Sequence, residues 1–285
     1  MSDAIQELFD LAQLLAPALL TAGAVGIAAS VLGVFVILRR EALAALALPQ
    51  AVAVGSAIGF RLGFLTIPET ITVHIGWPTL PPALAVTAAT VGFLAWSRRS
   101  GAQDWLLPSM YVGALCCSIL IVSGAGQHLA DLQNLYVGVE VAVDAHVAEY
   151  TVPAALLAAA LTAALWRRWL LLAQARAAAE LAGLRPQRWD ALFLGLLASI
   201  VLLGTNALGI AMVLAMLFLP AAAALPWARR LPFAMLASAG FSLLFLLGGL
   251  LASYAMDWPL SQSVGGLGFA IVLMSHGLSV MSRWK

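Results

Sequence analysis

Residues 191–228 read ALFLGLLASIVLLGTNALGIAMVLAMLFLPAAAALPWA, 38 positions without one Asp, Glu, Lys or Arg. A bilayer's hydrocarbon core is roughly 30 Å thick and a helix crosses it in about 20 residues, so this run is too long for one crossing. It divides best into two helices. Gly204-Thr205-Asn206, near its middle, are turn-forming residues and predict the break there. Each arm then has about 17 residues, slightly short of a full crossing, which sets the turn below the outer surface. Non-helical backbone at that depth has to be packed in protein or line a cavity. A tight surface turn in a thinned bilayer is the plainer alternative.

Working outward, seven more charge-free runs cover residues 11–38, 42–60, 70–97, 105–130, 150–166, 231–256 and 258–282. With the two arms of 191–228 they give nine helices. The fold class expected is an all-α, polytopic transmembrane bundle, one domain over residues 1–285. The composition agrees: 63% of the 285 residues are hydrophobic, 9% are charged, and the mean hydropathy is +1.00. No soluble domain of this length looks like that. A net charge of +1 leaves no nucleic-acid footprint. The amino-terminal stretch carries Asp3, Glu7 and Asp10 in place of a basic region, so no cleavable signal peptide is evident.

Orientation follows from the basic residues. With Arg39-Arg40, Arg98-Arg99, the Arg167–Arg188 stretch, Arg229-Arg230, Arg283 and Lys285 in the cytoplasm, 13 of the 14 Lys and Arg lie inside and only Arg61 lies outside. Nine of the 13 acidic residues then fall outside. Few wrong topologies satisfy the positive-inside rule this fully. The N-terminus is expected outside and the C-terminus inside.

No charged residue sits near the centre of any apolar run. An ion-coupled transporter normally keeps such a charge as its coupling site. Its absence points to energy supplied by a partner and draws attention to the cytoplasmic loops. Among these, residues 174–188 (QARAAAELAGLRPQR) are the most distinctive. Residues 177–181 favour helix, Gly183 ends it, and Pro186 starts the next. A short helix across the cytoplasmic end suits docking to another protein; an ordinary amphipathic connector is the bland reading.

Three further places carry candidate chemistry. In the second apolar run Pro49 predicts a kinked or loosened helix, and Gln50 is its only strongly polar side chain. Gln50 either faces a substrate path or hydrogen-bonds a neighbouring helix, the commoner role for a membrane Gln. The outer loop 124–149 carries His128, Asp131, Glu140, Asp144, His146 and Glu149. Asp144 and His146, two residues apart, are weak candidate metal ligands if the backbone is extended, since imidazole plus carboxylate suits zinc or manganese. A solvated loop needs no metal to account for them. His276 reads as a packed or interfacial histidine, Met212 and Met216 as core packing, and the adjacent Cys116 and Cys117 as small side chains facing lipid or core.

Three stretches, residues 33–40 (GVFVILRR), 178–184 (AAELAGL) and 208–222 (LGIAMVLAMLFLPAA), together resemble the ABC-3 family of permeases in zinc and manganese ABC importers. Residues 33–40 (GVFVILRR) are similar to the family's glycine, apolar run and double arginine closing the first helix. Residues 178–184 (AAELAGL) resemble the segment that docks to the ATPase. Residues 208–222 (LGIAMVLAMLFLPAA) resemble its helix ending in isoleucine-proline-alanine-alanine. Weaker likeness runs through residues 135–143 and 253–268. The resemblance implies the membrane-spanning permease subunit of an ATP-driven importer for a transition metal ion or metal chelate, in the bacterial cytoplasmic membrane. It also implies a homodimer around a central path, a dimer of ABC ATPase subunits below and an extracytoplasmic solute-binding protein above. Arg176, Glu180, Gly183 and Arg185 are then the ATPase-coupling residues. Leu46, Pro49, Gln50, Asn206 and Leu214 are the candidates for the path.

The second helix departs from the family pattern. Where the family places aspartate, serine and histidine, with the aspartate and histidine holding the metal in transit, this chain has Leu46, Pro49 and Gln50, and Leu214 stands where a serine is common. Leu binds no divalent ion and an amide oxygen is a poor zinc ligand. The family's metal ligands therefore do not carry over. Either the cargo is a metal already wrapped in an organic chelator, the reading favoured here, or the ion is held elsewhere, with Asp144 and His146 the leading pair.

The chain has no Gly-x-x-x-x-Gly-Lys-Ser/Thr loop, so it is expected to bind no cofactor and hydrolyse no ATP, with ATP used by the partner ATPase. An ion-coupled secondary transporter would need a carboxylate or a site built on broken helices, and only residues 204–206 suggest the latter. An intramembrane enzyme would need a nucleophile–base pair, but Ser275 and His276 are helix neighbours pointing apart. A permease-like protein without transport activity is the remaining alternative.

Overall fold

The computed structural model describes residues 2–66, 80–100, 103–123, 136, 145–256 and 258–283. The helices are α1 (Ser2–Leu38), α2 (Ala42–Thr66), α3 (Leu80–Ser100), α4 (Gln103–Ser123), α5 (Ala145–Gln174), α6 (Arg176–Leu181), α7 (Pro186–Leu208), α8 (Ile210–Ala224), α9 (Leu231–Met256) and α10 (Leu260–Arg283). A 3₁₀ turn, Leu225–Trp227, extends α8. Nine of these helices have 15 residues or more, as the apolar runs imply, and no strand occurs among the described residues. Among the described residues six helices are long and apolar enough to cross a membrane. Of the run 70–97, only the part from Leu80 lies within the described residues.

Two boundaries differ from the sequence reading. The first is the reversal inside 191–228. Gly204, Thr205 and Asn206 are all helical, within α7. The chain turns at Gly209, whose φ of 84° and ψ of 165° suit only glycine. Asn206 stays in the helix by donating its Nδ2–H to the Leu202 carbonyl (2.9 Å). Gly204 serves packing instead. A Cβ placed there would lie 2.7 Å from Val213 Cγ2 and 2.9 Å from Val25 Cγ1, so the glycine lets the returning α8 and the central α1 close on α7. The second difference is α5, which continues past the charge-free run through Arg167 and Arg168 to Gln174. Those cations sit against indole faces, Arg167 at 5.4 Å from the Trp166 ring centroid and Arg168 at 4.7 Å from that of Trp189.

α1 is the axis of the bundle, bordered by α5, α7, α8 and α9. Its second half is almost wholly buried. In lipid, helices associate through close packing more than through hydrophobic driving force, so small residues set the contacts. The register of α1 on α9 shows this. Gly23 faces Leu246, Gly26 faces Ser242, and Ser238 Oγ donates to the Ser30 carbonyl (3.0 Å). The paired numbers fall on one helix as they rise on the other, so α9 runs antiparallel to α1. Gly33 lies so close to the Leu217 carbonyl of α8 that no side chain fits there. Met212 and Met216 are buried in this core. On the other side α2 packs between α3 and α4, with Gly55 against the Ala83 backbone, and α7 bridges that group to α1.

Candidate functional site

Pro49 is buried within α2, yet the helix runs unbroken from Ala42 to Thr66. The proline has no N–H, so the Ala45 carbonyl loses its intrahelical donor. One position on, Gln50 is buried and accepts a hydrogen bond at Oε1 from the Tyr136 hydroxyl (2.9 Å). The same hydroxyl lies 3.0 Å from Ser118 Oγ on α4, which itself donates to the Leu115 carbonyl (2.9 Å). Gln50, Tyr136 and Ser118 thus form a chain of neutral polar groups between α2, α4 and the segment joining α4 to α5. Gln50 thus hydrogen-bonds a neighbouring segment, the commoner role for a membrane Gln. Leu46 and Leu214 are half-buried, on α2 and α8. Asn206 is occupied by its own helix and is not joined to the Gln50 array.

Ligands for a bare ion are sparse. Asp144, His128, Asp131 and Glu140 lie outside the described residues. His146 stands in the first turn of α5, four-fifths exposed, its Nδ1 3.6 Å from Glu149 Oε2. Among the described residues no group of three or more His, Cys, Asp or Glu side chains comes together. His276 is exposed, with Nδ1 3.1 Å from the Val272 carbonyl, and Cys116 and Cys117 are exposed thiols.

Charge gathers instead at one end of the bundle. α1 stops at Arg39-Arg40-Glu41. Arg40 adopts a left-handed φ of 57°, Glu41 N donates to the Val36 carbonyl (2.9 Å) and Arg40 N to the Ile37 carbonyl (3.1 Å). That is a Schellman stop with arginine where glycine is usual. Around this elbow Arg39 Nε meets Glu41 Oε1 (3.0 Å) and its Nη2 bonds Asp190 Oδ1 on α7. The guanidinium lies 4.5 Å over the Phe193 ring, which packs edge-on against Trp169, as does Phe35. The second oxygen of Asp190 accepts from Arg176 Nη2 on α6 (2.6 Å). Asp190 is buried, 5% exposed, so its charge is stable there only because it is paired.

The short helix α6 forms as its residues imply. Gly183 has φ 79°, Leu184 N donates to the Ala179 carbonyl and Gly183 N to the Glu180 carbonyl, both at 3.0 Å, and Pro186 opens α7. Only Ala179 of the helix is buried; Glu180, Leu181 and, beyond it, Arg185 are exposed. Arg176 reaches from α6 onto Asp190 with its side chain more than half exposed, and Glu180 and Arg185 are exposed as well. Sequence reading passed over Asp190. The one signal was a lone carboxylate immediately before an apolar run and next to an arginine-rich loop.

The fold thus combines a central buried helix, a fold-back hairpin at Gly209 and a short exposed helix between α5 and α7. The chain belongs to the ABC 3 transport family, whose model matches residues 11–282. It is 26% identical over 87% of its length to the manganese transport system membrane protein MntC of Halalkalibacterium halodurans, covering 81% of that protein. It is 28% identical over 84% of its length to the protein of the same description from Listeria innocua, again covering 81%. Among solved structures it resembles a chain of PsaBC from Streptococcus pneumoniae in complex with Fab. The TM-score is 0.79, the identity 23% and the coverage 95% of both chains. An ABC transporter assigned to the metal-chelate type, in an inward-facing conformation, gives a TM-score of 0.66 at 16% identity over 93% of this chain and 85% of the other.

Proposed function

We propose that this chain is the membrane-spanning permease of an ATP-driven importer for a transition metal, and that the metal crosses as an organic chelate. The family match and the manganese-transport relatives support the importer. The observation that carries the chelate is the neutral Gln50–Tyr136–Ser118 array at the register where the resemblance calls for a carboxylate and an imidazole. An amide, a phenol and a hydroxyl exchange hydrogen bonds with an organic ligand but replace the hydration of a bare divalent ion poorly. The Asp144/His146 alternative has less support, because His146 is solvent-exposed and faces Glu149.

In the complete importer two copies of the chain enclose the path, an extracytoplasmic binding protein delivers cargo, and a dimer of ABC ATPase subunits docks on the outward face of α6. The elbow end is cytoplasmic, the N-terminus is outside, and the membrane is the bacterial cytoplasmic one. Residues 174–188 are the coupling segment, with Glu180 and Arg185 in contact with the ATPase and Gly183 setting the helix stop. Ala179→Pro tests this. It removes the Ala179 N–H bond to the Ala175 carbonyl in a helix of one and a half turns while leaving the crossings intact. Loss of ATPase co-purification and of ATP-driven uptake, with unchanged expression and thermal stability, is the expected result. Coupled uptake retained in that variant would count against the assignment.

A further inference from the structure

We infer that Asp190 is the positioning residue that ties the coupling helix α6 to the α1–α2 elbow, so that movement of α6 is delivered to the helix bearing Leu46 and Gln50. The inference rests on reading α6 as the ATPase-docking helix, but its geometry stands apart from that reading. One buried carboxylate joins three elements. Oδ1 takes Arg39 at the end of α1, Oδ2 takes Arg176 at the start of α6, and the side chain springs from the first turns of α7. α6 is otherwise loosely held, with only Ala179 buried. The elbow on the far side is set in an uncommon conformation, Arg40 at φ 57°, shortly before the buried core of α2 begins at Ala44. A carboxylate whose two oxygens bond different arginines fixes direction as well as distance.

The cluster also has an unspent donor. Among the described residues Arg39 Nη1 is buried without an acceptor, as is Trp169 Nε1, whose ring packs against the Phe193 ring under the guanidinium. Buried donors are nearly always paired, and a spare guanidinium N–H beside a shared carboxylate lets Arg39 and Asp190 exchange partners as α6 shifts. Glu41, already 3.0 Å from Arg39 Nε, is the neighbouring acceptor for that exchange.

The test uses the full chain in nanodiscs with Cys116 and Cys117 replaced by serine and spin labels on Glu180→Cys and Ala42→Cys, both exposed sites. Pulsed dipolar spectroscopy on the permease alone reads the α6-to-elbow distance, so ATPase docking is not required. Asp190→Asn is expected to broaden the distribution at least twofold, Arg176→Ala to broaden it similarly, and Asp190→Glu to restore a single narrow peak. An unchanged distribution in Asp190→Asn and Arg176→Ala overturns the inference, whatever the ATPase result. In the reconstituted importer Asp190→Asn is expected to keep ATP hydrolysis within about twofold while transport per ATP falls at least tenfold. Equal loss of both, with the wild-type ratio kept, would mark a merely structural residue and also overturn it. Should Asp190→Asn not fold, Arg176→Ala decides, because Arg176 is more than half exposed and its loss leaves the Arg39–Asp190 pair in place.

Discussion

The middle of α2 and the elbow at its start lie about three turns apart on one helix, and their chemistry is opposite. Among the described residues, the polar groups linked to Gln50 are the neutral Tyr136 and Ser118. Around Arg39 the contacts are ionic, with Asp190 shared between two arginines and Glu41 alongside. Charge buried in the hydrocarbon core is retained where a cargo or coupling ion needs it. On the proposed reading of α6 and Gln50, the strong electrostatics lie where force would enter the molecule, not where cargo would pass.

The contrast predicts unequal costs. Replacing Asp190 by Leu leaves the Arg39 guanidinium buried beside Glu41, and breaking a buried pair in this way costs about 3–5 kcal/mol. The unfolding midpoint in a detergent titration is expected to fall accordingly, and a variant as stable as the parent would show the elbow cluster to be dispensable. Next in size is Leu46→Asp with Gln50→His, which puts a carboxylate and an imidazole into the neutral region. Uptake of free divalent ion into proteoliposomes is expected to rise about tenfold, equivalent to about 1.4 kcal/mol in the barrier. If free-ion uptake does not change, the neutral array does not set the form of the cargo. The smallest effect is expected for Tyr136→Phe, which removes one hydroxyl from between Gln50 and Ser118. About 1 kcal/mol of stability should go, read in the same titration. A loss as large as that of Asp190→Leu would erase the distinction between the two regions.

Much of this was legible in the sequence. Apolar runs fixed the helix number because a crossing has a minimum length, and Gly183 with Pro186 marked α6 because both residues have strong backbone constraints. The hairpin between α7 and α8 was recognised but misplaced by a few residues. Gly204-Thr205-Asn206 looks more turn-like than Leu208-Gly209-Ile210, yet Asn206 finds its acceptor within the helix, and Gly204 is glycine because Val25 and Val213 press on it. Tertiary closeness and turn formation select the same residue type, and only the fold separates them. The Arg39–Asp190 bond joins residues 151 positions apart, and no local pattern announces it. Tyr136 was passed over for the same reason, since its partners Gln50 and Ser118 lie 86 and 18 positions away.

The most direct test of the account is total cellular metal, by mass spectrometry, in a strain lacking this chain and in its complemented parent, with metal supplied free or as a chelate. A deficit of one transition metal, confined to chelate supply and restored by complementation, is the result predicted. A deficit under free-ion supply would place the metal's ligands outside the Gln50 array and contradict the chelate path, and no deficit under either supply would contradict metal import itself.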